Sequence, residues 1–242
     1  MCTLTWVRHG TGFELFFNRD EQRTRAKAKA PFVHERAGRR WIAPTDTAGG
    51  GTWIGVNEFG LAVALLNGFL RGDQGERPWT TRGELVESVL DAKNVREVEV
   101  RLRKRHLERF RSFTLVAVEP AAPALVASWD GQELALDQRF DGHPPICSSS
   151  LDPNGATRAR RELFSELQAR HGGIDSGLLE LFHRSHGPER GALSPCMHRD
   201  DAATQSFTRI AVDAERVELH YTPGAPCEGL AAERLELPRQ RS

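Results

Sequence analysis

The 242-residue sequence has no excess of charge of either sign: 33 lysines and arginines balance 33 aspartates and glutamates. No long-range field would draw in nucleic acid or an anionic membrane, and neither partner is expected. Nor is there an apolar run near the roughly 20 residues that span a bilayer, so no membrane insertion is expected. The start lacks the basic-then-apolar pattern of a secretory signal, because Arg8 and His9 interrupt the first strand-like stretch. The expected location is the cytoplasm. There is no CxxC pair either. Cys2, Cys147, Cys196 and Cys227 stand far apart, which argues against a disulfide framework in such a chain. Without repeat, low-complexity segment or linker, one domain over residues 1–242 is expected.

Hydrophobic residues at 39 % and charged residues at 27 % suit a globular protein. CTLTWVR and FELFFN read as two strands joined by the HGTG turn. Residues 22–40, polar and basic, read as a surface loop. WIAPTDTAGGGTWIGVN carries a strand through a glycine-rich loop, and VNEFGLAVALLN forms a hairpin whose second strand is apolar on both faces. Thr81 with Glu84, and Asn94 with Glu97, make capping boxes before two helices. SFTLVAVE and ALVASW are strands, and the DG of WDGQEL is a turn. HPPICSSSLD is a strand that ends in a small polar loop. Helices are expected over TRARRELFSELQARHG and SGLLELFHRSH, with FTRIAVDA and RVELHY as the last clear strands. Hairpins alternating with helices lack the rhythm of a parallel sheet and suggest antiparallel sheets with helices on their outer faces.

Several signals have ordinary readings. GGG before TWIG lacks the lysine and helix of a phosphate loop and lets the backbone turn tightly. RLRKRHLERFR reads as a solvated helix face paired with acids at i,i+4. His183, His186, Cys196 and His198 are soft ligands, but their spacing fits no zinc module, and no metal is expected.

MCTLTW, FFNRDE, the WIAPTD–GGGTWIGVNEFGLAVALLN block and SPCMHRDDAATQSFT together resemble the NRDE proteins, relatives of transport and Golgi organisation protein 2. The resemblance implies the amino-terminal-nucleophile hydrolase fold, a four-layer αββα sandwich of two mostly antiparallel sheets in the α+β class. It also implies a distant likeness to choloylglycine hydrolases and penicillin V acylases, which cleave non-peptide amide bonds with an amino-terminal cysteine. Their cysteine, arginine and aspartate land on Cys2, Arg19 and Asp20, and their hairpin asparagine on Asn67. Asn18 and Glu21 flank the set. A mid-chain asparagine is replaced by serines, of which Ser148 is the nearest match. A late arginine falls on Arg199, with Arg209 as its rival.

The implied activity is an Ntn-type cysteine hydrolysis of a small acyl amide. Removal of Met1 would free the α-amine of Cys2, whose reference pKa of about 7.7–8.0 lets it accept a proton near neutrality. Nucleophile and base then belong to one residue. Arg19 would favour the thiolate, Asp20 would hold the amine, and Asn67 would donate to the oxyanion. No cofactor is implied. The alternative that the resemblance carries is a non-enzymatic carrier of a hydrophobic ligand, haem or lipid, on the same scaffold. Read alone, Cys2 is more simply a small buried hydrophobe and Asn18–Glu21 a solvated turn with internal ion pairs, and Asn67 can be a strand end.

Overall fold

The computed structural model describes residues 2–68, 78–140 and 145–240. Removal of Met1, most of the 68–80 pocket loop and the start of the strand expected from His143 lie outside these residues. The chain opens with a hairpin, β1 (Cys2–His9) and β2 (Gly12–Gln22). There follow β3 (Lys29–Arg36), β4 (Arg39–Thr45), β5 (Ile54–Asn57) and β6 (Ala62–Asn67). Helices α1 (Arg82–Glu87) and α2 (Val95–Arg103) lead to β7 (Phe113–Glu119), β8 (Ala122–Trp129) and β9 (Leu134–Phe140). The rest comprises β10 (Ile146–Ser148), α3 (Pro153–His171), α4 (Ser176–Arg184), β11 (Ala202–Val212), β12 (Arg216–Thr222) and β13 (Glu233–Pro238).

Among the described residues the strands make two antiparallel sheets, ordered β10-β1-β2-β11-β12-β13 and β3-β4-β5-β6-β7-β8-β9. The period of two along each strand decides what packs where. Leu4 and Trp6 of β1, with Phe13, Leu15 and Phe17 of β2, face the second sheet and meet Ile54, Val56, Ala64 and Leu66. The opposite face of the hairpin presents Val7 and Phe16 to Phe164 of α3 and Leu178 and Phe182 of α4. β6 is apolar on both faces for the reason expected. Ala62, Ala64 and Leu66 enter the inter-sheet core, while Val63 and Leu65 pack outward on Leu85, Val98 and Leu102 of the α1–α2 layer. The result is the αββα sandwich, in which each fully buried leucine or phenylalanine contributes about 1.5–3 kcal/mol. None of the helices among the described residues is long and apolar enough to cross a membrane.

Several local expectations need correction. Residues 22–40 are not all loop, since β3 occupies Lys29–Arg36 at a sheet edge. Its register shifts between Lys29 and Phe32, where Pro31 removes a donor that only an edge strand can spare. Asn18–Glu21 is not a turn: β2 continues through Gln22, paired with β11. β9 and β13 are further strands, in segments for which the sequence suggests none. Thr81 caps α1 through Gly83 N rather than through Glu84. Asn94 accepts from Glu97 N at 2.9 Å, and Glu97 and Glu99 pair with Arg101 and Arg103 at i,i+4 as expected. But α2 ends at Arg103, so the rest of RLRKRHLERFR is not a solvated helix face: Leu107 is buried in a 3-10 turn and Arg111 lines a cavity.

Two motif residues are architectural. Asn57, fully buried in the NEFG turn, accepts from the N–H groups of Phe59 and Leu61 and donates to the carbonyls of Leu90 and Ala92. Gly51, at φ +71°, lies against α1 so closely that a Cβ there would sit 2.4 Å from the carbonyl carbon of Gly83. The glycine-rich loop can therefore press Thr52 and Trp53 against the start of the helix.

Candidate active site

A cavity of about 250 Å3 opens where β1, β2 and β6 end beside the start of α1. Cys2 begins β1, and its Cα stands in register with Arg19 of β2 on one side and Ser148 of β10 on the other. Residues opposite one another across a pair point to the same face, so the thiol and the guanidinium share the inter-sheet side. Cys2, Arg19, Asp20, Glu21 and Asn67 all line the cavity.

The other candidates stand elsewhere. Asn18 points to the opposite face of β2, where its amide donates to the carbonyls of His183 (2.9 Å) and Pro195 (2.8 Å). Ser148 faces Cys2 across the pair, is buried, and its Oγ finds no hydrogen-bond partner among the described residues, but it does not line the cavity. Arg199 pairs with Asp201 at 2.7 Å and lines a neighbouring depression shared with Asp20, Glu21 and Asn67. Arg209 is held by Glu14 at 2.9 Å and does not line the cavity.

Arg19 is fixed from three sides. Its guanidinium carbon lies 4.2 Å from the ring centre of Trp53, with Asp46 at 3.6 Å and Glu21 at 3.9 Å. Burial alone would raise Asp46, but the hydrogen bond from Arg25 and the charges of Arg19 and Arg25 outweigh it and hold the carboxyl below its usual range. On the far wall, burial and the adjacent Arg111 charge push Arg82 down to about 10. Asp46, Trp53, Arg82 and Arg111 were not picked out in the sequence. Asp46 and Trp53 fall within the motifs quoted for the family; Arg82 stands inside the Thr81–Glu84 capping box and Arg111 ends the RLRKRHLERFR run, both of which read as ordinary helix surface.

Burial pushes the Cys2 thiol above its ordinary value and the Asp20 carboxylate adds to this; the amino-terminal charge opposes it most, and the Asp20 main-chain N–H and the Arg19 charge less, without cancelling it. An ordinary thiol near pKa 8.5 is about 3 % thiolate at pH 7. Alkylation of Cys2 by iodoacetamide, followed by peptide mass spectrometry, should be slower at pH 7 than for an ordinary thiol and still rise above pH 8.5. A rate already level at pH 8 would contradict the assignment.

Behind the cavity a buried arginine ties the sheet to α3. Arg160 is completely buried and donates to the Cys2 carbonyl (3.3 Å), Thr3 Oγ1 (2.6 Å), the Leu193 carbonyl (3.2 Å) and Asp20 Oδ2 (3.4 Å). Asp20 also accepts from Thr204 Oγ1 at 2.7 Å. The sequence signal was spacing: Ala156, Arg160 and Phe164 at i, i+4 and i+8 are the buried stripe of α3.

Nearby, His183 packs between Phe16 and Phe182 with Thr5 Oγ1 2.9 Å from its Nε2. Burial, with Arg160 adding, pushes this imidazole down to about 3. The unfolded chain takes up a proton near pH 6.5 that the folded state refuses. Stability fully present above pH 6.5 is therefore lost by about 1.4 kcal/mol per pH unit on acidification towards 3. Urea unfolding at pH 7 and pH 5 should show a loss of about 2 kcal/mol from this group that His183→Gln lacks. Equal losses in both proteins would contradict a neutral buried imidazole.

In the comparison with solved structures, the chain is similar in fold to a C2A mutant of conjugated bile acid hydrolase from Clostridium perfringens. The TM-score is 0.59 at 12 % identity, covering 100 % of this chain and 97 % of that one. Penicillin V acylase from Agrobacterium tumefaciens matches with a TM-score of 0.55 at 10 % identity, over 98 % and 86 % of the two chains. The Caenorhabditis elegans ortholog of N-acylethanolamine-hydrolyzing acid amidase matches with a TM-score of 0.56 at 13 % identity, over 98 % and 100 %. At these identities the likeness establishes the fold, that of Ntn hydrolases. No curated protein matches in sequence. The family model for Transport and Golgi organisation 2 matches residues 1–214, and the chain belongs to that family.

Proposed function

We propose that this protein is a hydrolase that uses Cys2 to cleave the C–N bond of a small N-acyl compound. The observation that carries this reading is the register of β1 against β2, which sets the Cys2 thiol beside Arg19 in a cavity that Asn67 also lines. Loss of Met1 would leave the α-amine on the nucleophilic residue itself. The raised thiol then needs that amine as its base, because the Arg19 charge does not offset burial. The sulphur attacks the acyl carbon, and the Asn67 amide faces the developing oxyanion, a contact worth about 3–4 kcal/mol. The C–N bond breaks as the amine takes the proton, leaving a thioester on Cys2. Water then releases the carboxylic acid and restores the thiol.

The cavity wall also speaks to the substrate. Arg82 and Arg111 both line it and repel one another, and an anionic group on the substrate relieves that repulsion. N-acyl amino acids therefore fit better than neutral N-acyl amines. Charge-assisted hydrogen bonds contribute about 1.5–3 kcal/mol, so Arg82→Ala should raise KM for an N-acyl amino acid about tenfold or more with kcat little changed. A panel assay for released amine tests both parts. Equal KM for charged and neutral amides removes the anion preference, and no release from any member removes the hydrolase.

A further inference from the structure

The loop between α4 and β11 carries His186, Cys196 and His198, and the short 3-10 turn Pro226–Glu228 between β12 and β13 carries Cys227. One ring nitrogen from each histidine and both sulphurs lie within 4.8 Å of one another. Nε2 of His198 is 3.5 Å from Cys196 Sγ and 3.3 Å from Cys227 Sγ. A tetrahedral zinc ion, with Zn–S about 2.3 Å and Zn–N about 2.0–2.1 Å, separates its sulphur and nitrogen ligands by about 3.6 Å. Both measured edges are close to that spacing. The His186 and His198 ring centres are 5.1 Å apart with the planes 61° to one another, so one ring does not stack over the other. Independently, Nε2 of His186 is buried with no hydrogen-bond partner among the described residues, a cost of about 1–3 kcal/mol that a metal bond would remove.

We propose that His186, Cys196, His198 and Cys227 form a structural zinc site. Two thiolates and two imidazoles are the donors that select this metal over hard cations, and the four close a tetrahedron with no position left for water or substrate. Binding is balanced by release of two thiol protons. Zinc on Nε2 of His198 places the ring proton on Nδ1, so Arg190, now 3.4 Å from Nδ1, turns aside.

What the ion would hold is the floor of the cavity. Met197, between two ligands, donates its N–H to Thr204 Oγ1, which in turn donates to Asp20. Pro195 accepts from Asn18, and Cys196 N donates to the Ser185 carbonyl. The site thus pins the loop behind Asp20 to the β12–β13 connection. It stands whether or not Cys2 is a nucleophile.

The test is metal analysis of the full chain purified under reducing conditions without chelator, followed by exchange with cobalt. The expected result is one zinc per chain, and a cobalt form showing thiolate-to-metal charge transfer with tetrahedral d–d bands. Cys227 is exposed, so Cys227→Ser should fold normally by circular dichroism. It should weaken zinc binding by about a hundredfold or more, and His198→Ala should do likewise, since even outer-shell changes cost about 10–100-fold. Absence of zinc together with no thiolate–cobalt band overturns the proposal. So does zinc binding unchanged by Cys227→Ser.

Discussion

Cys2→Ala is expected to lower amide hydrolysis about 10³-fold or more while leaving the fold intact, because it removes the only atom assigned to form the acyl intermediate. Alanine suits the test for two reasons. It is small enough at position 2 to permit removal of Met1, so the free α-amine is kept and the sulphur alone is probed. It also fits the 6 % exposed space of Cys2 at the end of β1, where loss of one atom leaves little void. Residual activity would come from Asn67 polarising the amide while Arg82 and Arg111 hold the anionic group of the substrate, without a nucleophile. The measurement is kcat/KM on the best member of the amide panel, with thermal unfolding as the control. Activity within tenfold of the parent, with an unchanged unfolding midpoint, would mean that the nucleophile lies elsewhere.

The second large effect concerns stability. Arg160→Met should lower the unfolding free energy by about 3–5 kcal/mol, because it removes the cation beside the Asp20 carboxylate, whose side chain has no solvent exposure. Four acceptors each lose a donor at once: the Cys2 and Leu193 carbonyls, Thr3, and Asp20, which keeps the hydroxyl of Thr204. The methionine fills much of the same space, so the loss reports charge and hydrogen bonding rather than a cavity. Adding Asp20→Asn should recover part of it, since the buried charge is gone. Urea unfolding of the two single variants and the double variant measures this. A loss below about 1 kcal/mol for Arg160→Met would show that the pair holds nothing together.

Much of this was legible in the sequence where a strand's period carries the information. Leu4, Trp6, Phe13, Leu15 and Phe17 announce one face of a hairpin, and the same alternation carries Cys2 and Arg19 onto that face. It also explains why Asn18, one residue from Arg19, serves the other side by holding the carbonyls of His183 and Pro195. The missed strands, β3, β9 and β13, are edge strands. β3 exposes Phe32 and Val33 alike, so it shows no alternation to read, and β13 mixes leucines with charges at the margin of its sheet.

Residues that act through tertiary contact left weaker marks. Arg160 lies in a run of arginines, and only its place between Ala156 and Phe164 separates it from solvated neighbours. Arg82 and Arg111 lie in stretches that look like ordinary surface, and only the packing of α1 and β7 against β6 brings them to the cavity. The same holds for the thiol–imidazole cluster. His186, Cys196 and His198 match no metal spacing because the fourth member, Cys227, arrives from beyond two strands.

In the proposed mechanism Cys2 bears both the nucleophile and, once freed, its own base. Intact mass spectrometry of the active protein, acid-quenched during turnover of an N-acyl amino acid, tests it most directly. The expected species is a chain that starts at Cys2 and carries the acyl group on that residue, lost on treatment with hydroxylamine. An active chain that retains Met1, or an acyl group found on any other residue, would contradict it.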